Sequence, residues 1–201
     1  MSTATRVLAI NGSYRDDGIT DQALSVAIDA LRSAGAVVDT VLLREQHIEF
    51  CLNCRACTQE PGDAPGRCVL DDGMRALVER IEQADAYLIA APTNFGSVTA
   101  VFKRFMERLI VYGYWPWGAM APKMRKANAP KKKALLISSC AAPGFLGQLL
   151  YTTPKQLKMA ASTIGAEPVG TVTTGMISHQ PDARLPDKMQ QRVRKLAARL
   201  T

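Results

Sequence analysis

The sequence predicts an α/β protein: a doubly wound sheet of five parallel strands with helices on both faces. Three observations predict it. Five short runs rich in valine, isoleucine, leucine and alanine recur along the 201 residues. Helix-like stretches, with apolar residues three and four positions apart, separate them as βαβ units require. The hydrophobic content of 47% suffices for one sizeable core, so the chain reads as one folded domain over 1–201.

The first strand, Val7 to Ile10, breaks at Asn11-Gly12-Ser13 into a polar loop ending near Thr20. The helix from Asp21 to Ser33 sets Leu24, Ala27, Ile28 and Leu31 on one face, and Gly35 stops it. Val37 to Leu43 is the second strand. After a cysteine-rich segment, a helix from about Gly73 to Gln83 turns Met74, Leu77, Val78 and Ile81 inward. Tyr87 to Ala91 is continuously apolar, which suits a strand buried on both faces. Pro92-Thr93-Asn94-Phe95-Gly96 interrupts the pattern, and a helix follows from Thr99 to about Val111. Tyr112 to Pro130 fits neither period and reads as a structured excursion or a flap. Ala134 to Ser138 is the fourth strand, Leu146 to Ile164 one helix, Val169 to Thr173 the fifth strand and Asp187 to Leu200 a basic closing helix. In such a sheet ligands bind beyond the carboxyl ends of the strands, where the strand order reverses.

No apolar run approaches the roughly 20 residues of a membrane span. Met1 to Arg6 lacks the charged start and apolar stretch of a secretory signal, so the expectation is a cytoplasmic protein without a membrane partner. Lysine plus arginine exceed aspartate plus glutamate by 25 to 18, a formal charge of +7 that permits anionic ligands without naming one. The excess lies mainly in Lys123 to Lys133 and in Lys188, Arg192, Arg194, Lys195 and Arg199, and reads as solvated surface. A nucleic-acid binder is the non-enzyme alternative, but no helix-turn-helix, zinc-finger or RNP-like pattern accompanies the charge.

The loop Asn11-Gly12-Ser13-Tyr14-Arg15-Asp16-Asp17-Gly18-Ile19-Thr20 leads straight into a helix and is built to hold a phosphate. Ser13 and Thr20 offer hydroxyls, Arg15 offers charge, Gly12 and Gly18 allow close backbone approach, and amides at a helix start favour an anion. An ordinary polar turn with a threonine cap is the plainer alternative. Neither G-x-G-x-x-G nor the P-loop lysine pattern is present.

This loop resembles the phosphate loop of the NADPH-dependent FMN reductase family, flavodoxin-like proteins that include iron–sulfur flavoproteins and quinone and azo-dye reductases. Two further segments resemble that family: Ala91 to Ala100 with Lys103, Phe105 and Arg108, and Cys51-x-x-Cys54-x-x-Cys57 ahead of Cys68 and Asp71-Asp72. The resemblance implies that Ser13, Arg15 and Thr20 hold the FMN phosphate. It implies that Pro92, Thr93, Asn94, Phe95 and Gly96 run along the ribityl chain and the ring. Ser139-Cys140-Ala141-Ala142-Pro143-Gly144, at the end of the fourth strand, is the expected third wall, with Ser139, Cys140 and Gly144 as cofactor-binding positions and Cys140 a buried small residue. The implied reaction is reduction of FMN by NADPH or NADH, then electron transfer to a quinone, azo compound, flavin or similar small-molecule acceptor, with no side chain named as catalytic. A one-electron carrier and an iron–sulfur flavoprotein fed by a ferredoxin-type donor are the alternatives. The implied assembly is a homodimer or homotetramer. His47 and His179 lie beside no nucleophile motif and read as surface or structural.

Five cysteines is an odd number, and four fall between positions 51 and 68, a poor way to staple a fold. Cys51, Cys54, Cys57 and Cys68 are the four thiolates that a four-iron cluster requires. Iron–sulfur flavoproteins of the family carry a compact motif there with a last gap shorter than the ten residues in this chain. Zinc takes four thiolates too, more naturally as two separated pairs. The favoured reading is a metal-free loop, with or without a redox-active pair, and the cluster is the named alternative.

Overall fold

The computed structural model describes residues 4–176 and 182–201, which leaves His179 outside the described residues. Its elements run β1 (Arg6–Asn11), α1 (Ile19–Ser33), β2 (Val37–Leu42), α2 (Met74–Gln83), β3 (Ala86–Ala90), β4 (Thr93–Asn94), β5 (Ser97–Val98), α3 (Ala100–Arg108), β6 (Gly113–Tyr114), β7 (Lys123–Met124), β8 (Lys132–Cys140), α4 (Gly144–Leu150), α5 (Thr153–Thr163), β9 (Ala166–Gly175) and α6 (Asp187–Ala197). Five of the strands form one parallel sheet in the order β2-β1-β3-β8-β9. The order reverses between β1 and β3, so the chain is doubly wound and leaves a crevice at their carboxyl ends.

Alternation along the strands divides the core into two layers. Leu8, Ile10, Ile89 and Leu136 face α2, α3 and α5, meeting Met74, Leu77, Phe102, Phe105 and Leu157. Val7, Ala9, Leu88, Leu135 and Ile137 face α1 and α6, meeting Leu24, Ala27, Leu31 and Val193. Each buried leucine, isoleucine or phenylalanine contributes about 1.5–3 kcal/mol by leaving water. The helix α1 ends as its sequence suggests: Gly35 takes the left-handed conformation at φ +84°, and its amide donates to the Arg32 carbonyl at 3.0 Å.

Three expectations are corrected. The single helix over Leu146 to Ile164 is two helices. Pro154 removes the amide that would bond to the Leu150 carbonyl, and Tyr151 is extended. The freed Thr152 amide instead donates to the Gly96 carbonyl at 2.9 Å. The helix after Thr99 ends at Arg108 and tightens into a 3-10 turn over Leu109–Tyr112. The last two sheet strands are longer than their apolar runs, because pairing between β8 and β9 continues to Cys140 and Gly175. The excursion over 112–130 carries the short antiparallel pair β6–β7. No helix among the described residues is long and apolar enough to cross a membrane.

Candidate functional site

A cleft of about 320 Å³ opens at the carboxyl ends of β1, β3 and β8. Ser13, Arg15, Gly18 and Thr20 line it from the first loop, Pro92 and Thr93 from the exit of β3, Ser139, Cys140 and Ala141 from β8, and Thr174 from β9. The sequence-derived positions thus converge from three loops. Asn94, Phe95, Gly96 and Gly144 do not line it. Asn94 to Gly96 form the β4–β5 turn, in which Phe95 and Gly96 both have positive φ, 53° and 78°, and the Phe95 ring is fully exposed. Gly144 serves packing, since a Cβ there would run into the Thr173 carbonyl oxygen of β9.

The first loop is tied to its neighbours by hydrogen bonds and an ion pair. Buried Asn11 accepts from the Ser13 amide at 2.8 Å and donates to Asp21 at 2.5 Å. Arg44 donates to the Ser13 carbonyl at 3.1 Å and pairs with Asp16. Thr20 Oγ1 and Ser139 Oγ lie 2.8 Å apart and tie the first loop to β8. Ser13 and Thr20 are both buried polar residues, yet Gly18 at the helix start supplies no side-chain cap. Gly18, Ile19 and Thr20 at the start of α1 line the cleft, and a helix start at a cleft wall favours an anion. Beyond the loop, Arg184 pairs with Asp17 at 2.5 Å, and Gln22 holds the Ala183 carbonyl and the Leu185 amide, closing the cleft's outer edge. Asn11, Arg44 and Gln22 were not singled out from sequence. The Asn-Gly-Ser string signals the first, but nothing local signals Arg44, whose partners lie some thirty residues earlier.

Cys140 forms one wall of the cleft. Its thiol donates to the Ala142 carbonyl at 3.2 Å, and burial pushes its pKa up. His47 is exposed, 3.2 Å from Glu49. The basic side chains of α6 are exposed as well.

A second constellation surrounds the cysteine segment. Cys51, Cys54, Cys57 and Cys68 all border one cavity of about 30 Å³, together with Arg55, Arg108 and Trp115. All are free thiols. Burial, and then the neighbouring cysteines, push Cys57 up to about 11. Among the described residues no three acidic, histidine or cysteine side chains are drawn together closely enough to grip an ion. The segment is held by arginines. Arg55 stacks over Trp115 and Trp117 at 3.8 and 4.4 Å and donates to the carbonyls of Trp115 and Pro116. Buried Arg125 donates to the carbonyls of Glu60, Gly62 and Val111 at 2.8, 2.8 and 3.2 Å. Gly66 lies so close that a Cβ would run into the Cys57 carbonyl oxygen. A cavity this size holds about one or two waters.

This sheet order, with a polar loop after β1 and a cleft at the point of reversal, defines a flavodoxin-like fold. The chain belongs to the NADPH-dependent FMN reductase family, whose model matches residues 5–174. It is 32% identical over 111 residues to an iron-sulfur flavoprotein of Archaeoglobus fulgidus, a match covering 55% of this chain and 48% of that protein. The chain spans about half the length of the curated relatives it matches. Among solved structures, an azoreductase from Bacillus anthracis superposes with a TM-score of 0.68 at 14% identity, covering 98% of each chain. An NAD(P)H:quinone oxidoreductase from Methanothermobacter marburgensis superposes at 0.66 with 17% identity, covering 98% of this chain and 94% of that one.

Proposed function

We propose that the chain binds FMN in the cleft and passes electrons from NADPH or NADH to a quinone, azo compound, free flavin or similar acceptor. The observation that carries this reading is the start of α1, lined into the cleft with no side-chain cap among the described residues, beside the buried residues Ser13 and Thr20. It supplies neutral donors and a positive helix end for a phosphate, with Arg15 at the same wall. Pro92 and Thr93 then border the sugar-like chain, and the β4–β5 turn with Ser139 to Ala141 borders the ring. When bound, FMN supplies hydride acceptance and onward electron transfer. The chain's residues hold it, fix its orientation through backbone donors, and leave one side open for the nicotinamide. No protein acid or base is required.

A homodimer or homotetramer accompanies this reading. Phe145, Leu149 and Leu150 on α4 and Phe95 on the β4–β5 turn are exposed apolar side chains. The Thr152 bond to Gly96 holds these two elements together.

An electron-carrying iron–sulfur flavoprotein is the second reading, favoured by the four thiols that border one cavity. Anaerobic stopped-flow mixing of the FMN-loaded protein with each nicotinamide separates the two. The oxidoreductase reading expects flavin bleaching at a rate that saturates with NADPH or NADH. Bleaching by a reduced ferredoxin and by neither nicotinamide would replace it with the carrier.

A further inference from the structure

Arg44 stands outside the first loop, in the turn that follows β2, yet it grips that loop at two points. Its Nη1 donates to the Ser13 carbonyl at 3.1 Å, and its Nη2 pairs with the Asp16 carboxylate. Glu45 lies 4.0 Å from the same Nη2. The turn is anchored by Leu43, which is buried in the core layer of α2, α3 and α5. The Arg44 side chain is itself largely covered, 15% exposed, whereas that of Asp16 is 83% exposed. A planar fork that answers two oxygens at once fixes them in place as a lysine cannot.

The loop that Arg44 grips alternates in direction. Ser13, Arg15 and Asp17 line the cleft; Tyr14 and Asp16, between them, are exposed and do not. The acidic side chains around this wall are each answered by a donor. Asp21 accepts from Asn11 at 2.5 Å, Asp17 from Arg184 at 2.5 Å, and Asp16 from Arg44. The Asp17 pair is exposed on both sides, 70% and 64%, so water and salt weaken it. The Arg44 charge is the better shielded of the two arginines, and it also holds the backbone of Ser13.

We propose that Arg44 is a positioning residue that makes the cleft prefer a phosphorylated flavin over an unphosphorylated one, an inference that rests on FMN as the bound cofactor. It fixes Ser13 through its carbonyl, and it keeps the Asp16 charge answered on the outer side of the loop. Without it, Asp16 is an uncompensated carboxylate next to Arg15, where it competes for that guanidinium and repels a phosphate dianion. Both effects act on a phosphate. Neither acts on riboflavin, which is uncharged and would meet only the Pro92, Thr93 and Ser139 side of the cleft.

The test is fluorescence titration of the flavin-free chain with FMN and with riboflavin. The parent should bind FMN more tightly than riboflavin. Arg44→Ala should lose about tenfold in FMN affinity, the worth of one charge-assisted contact, and keep the parent's riboflavin affinity. Arg44→Gln, which leaves one neutral donor for the Ser13 carbonyl, should show the same split to a smaller degree, and carries the comparison if Arg44→Ala does not fold. Arg44→Ala/Asp16→Asn should regain part of the lost FMN affinity, because the unanswered carboxylate is gone. A parent that binds neither flavin overturns the FMN reading and this inference with it. A parent that binds FMN leaves that reading standing, and the inference alone is overturned by any of three results: no preference over riboflavin, Arg44 variants that weaken both flavins equally or neither, or a double variant no better than Arg44→Ala.

Discussion

Arg108 at the end of α3 and Asp72 just before α2 form a bidentate ion pair, at 2.6 and 3.1 Å, with both side chains 1% exposed. The same carboxylate accepts the amides of Glu49 and Met74, at 2.8 and 3.0 Å. One pair thus joins the end of a helix, the start of another and the beginning of the cysteine segment.

Removing one partner strands a buried charge. Asp72→Ala should therefore cost about 3–5 kcal/mol in urea unfolding, far more than loss of the exposed Arg184–Asp17 pair, at about 0–1 kcal/mol. Burial alone would raise the Asp72 carboxyl, but Arg108 and the two amides outweigh it and hold it below the usual range. The folded pKa is depressed, so the stability it brings is present above the unfolded value near ~4 and lost as pH falls through the folded one. Acid titrations of unfolding should show this loss in the parent and a weaker one in Asp72→Asn.

Cys57 has the opposite sign. Burial and then the neighbouring thiols raise it to about 11, so the folded state keeps a proton that the unfolded chain releases near ~8.5. Its contribution is complete below the unfolded value and declines as pH rises toward the folded one. At pH ~9, alkylation mapped by mass spectrometry should label exposed Cys54 well before Cys57.

Phe95 is a bulky residue held in the left-handed region and fully exposed. Such a residue costs about 1–2 kcal/mol, and glycine relieves it. Phe95→Gly should raise the unfolding midpoint.

Much of this was legible in local sequence. Leu24, Ala27, Ile28 and Leu31, placed on one face by spacing alone, are all buried beneath α1. Ser13, Arg15, Thr20, Pro92, Thr93, Ser139 and Cys140 share one cleft because parallel strands bring their carboxyl ends to one edge. What was not legible depends on distant partners. The apolar positions on both sides of Pro154 continue one helical rhythm, which masks the break; the missing Pro154 amide and the bond from Thr152 to Gly96 together explain it. Arg125 sits in a basic run that reads as surface, yet it is buried against carbonyls more than sixty residues away in sequence. The four cysteines announced themselves by spacing; the volume between them is set by Arg55, Trp115 and Gly66, and spacing carries no record of it.

The most direct test of the account is equilibrium titration of the apoprotein with FMN, read by quenching of flavin fluorescence, in the parent and in Ser13→Ala/Thr20→Ala. The account predicts one FMN per chain. It also predicts a loss of affinity of about one to two decades in the variant, since two neutral hydrogen bonds of about 0.5–1.5 kcal/mol each are removed. Absence of FMN binding by the parent, or an unchanged affinity in a variant that retains the parent's melting temperature, would contradict it.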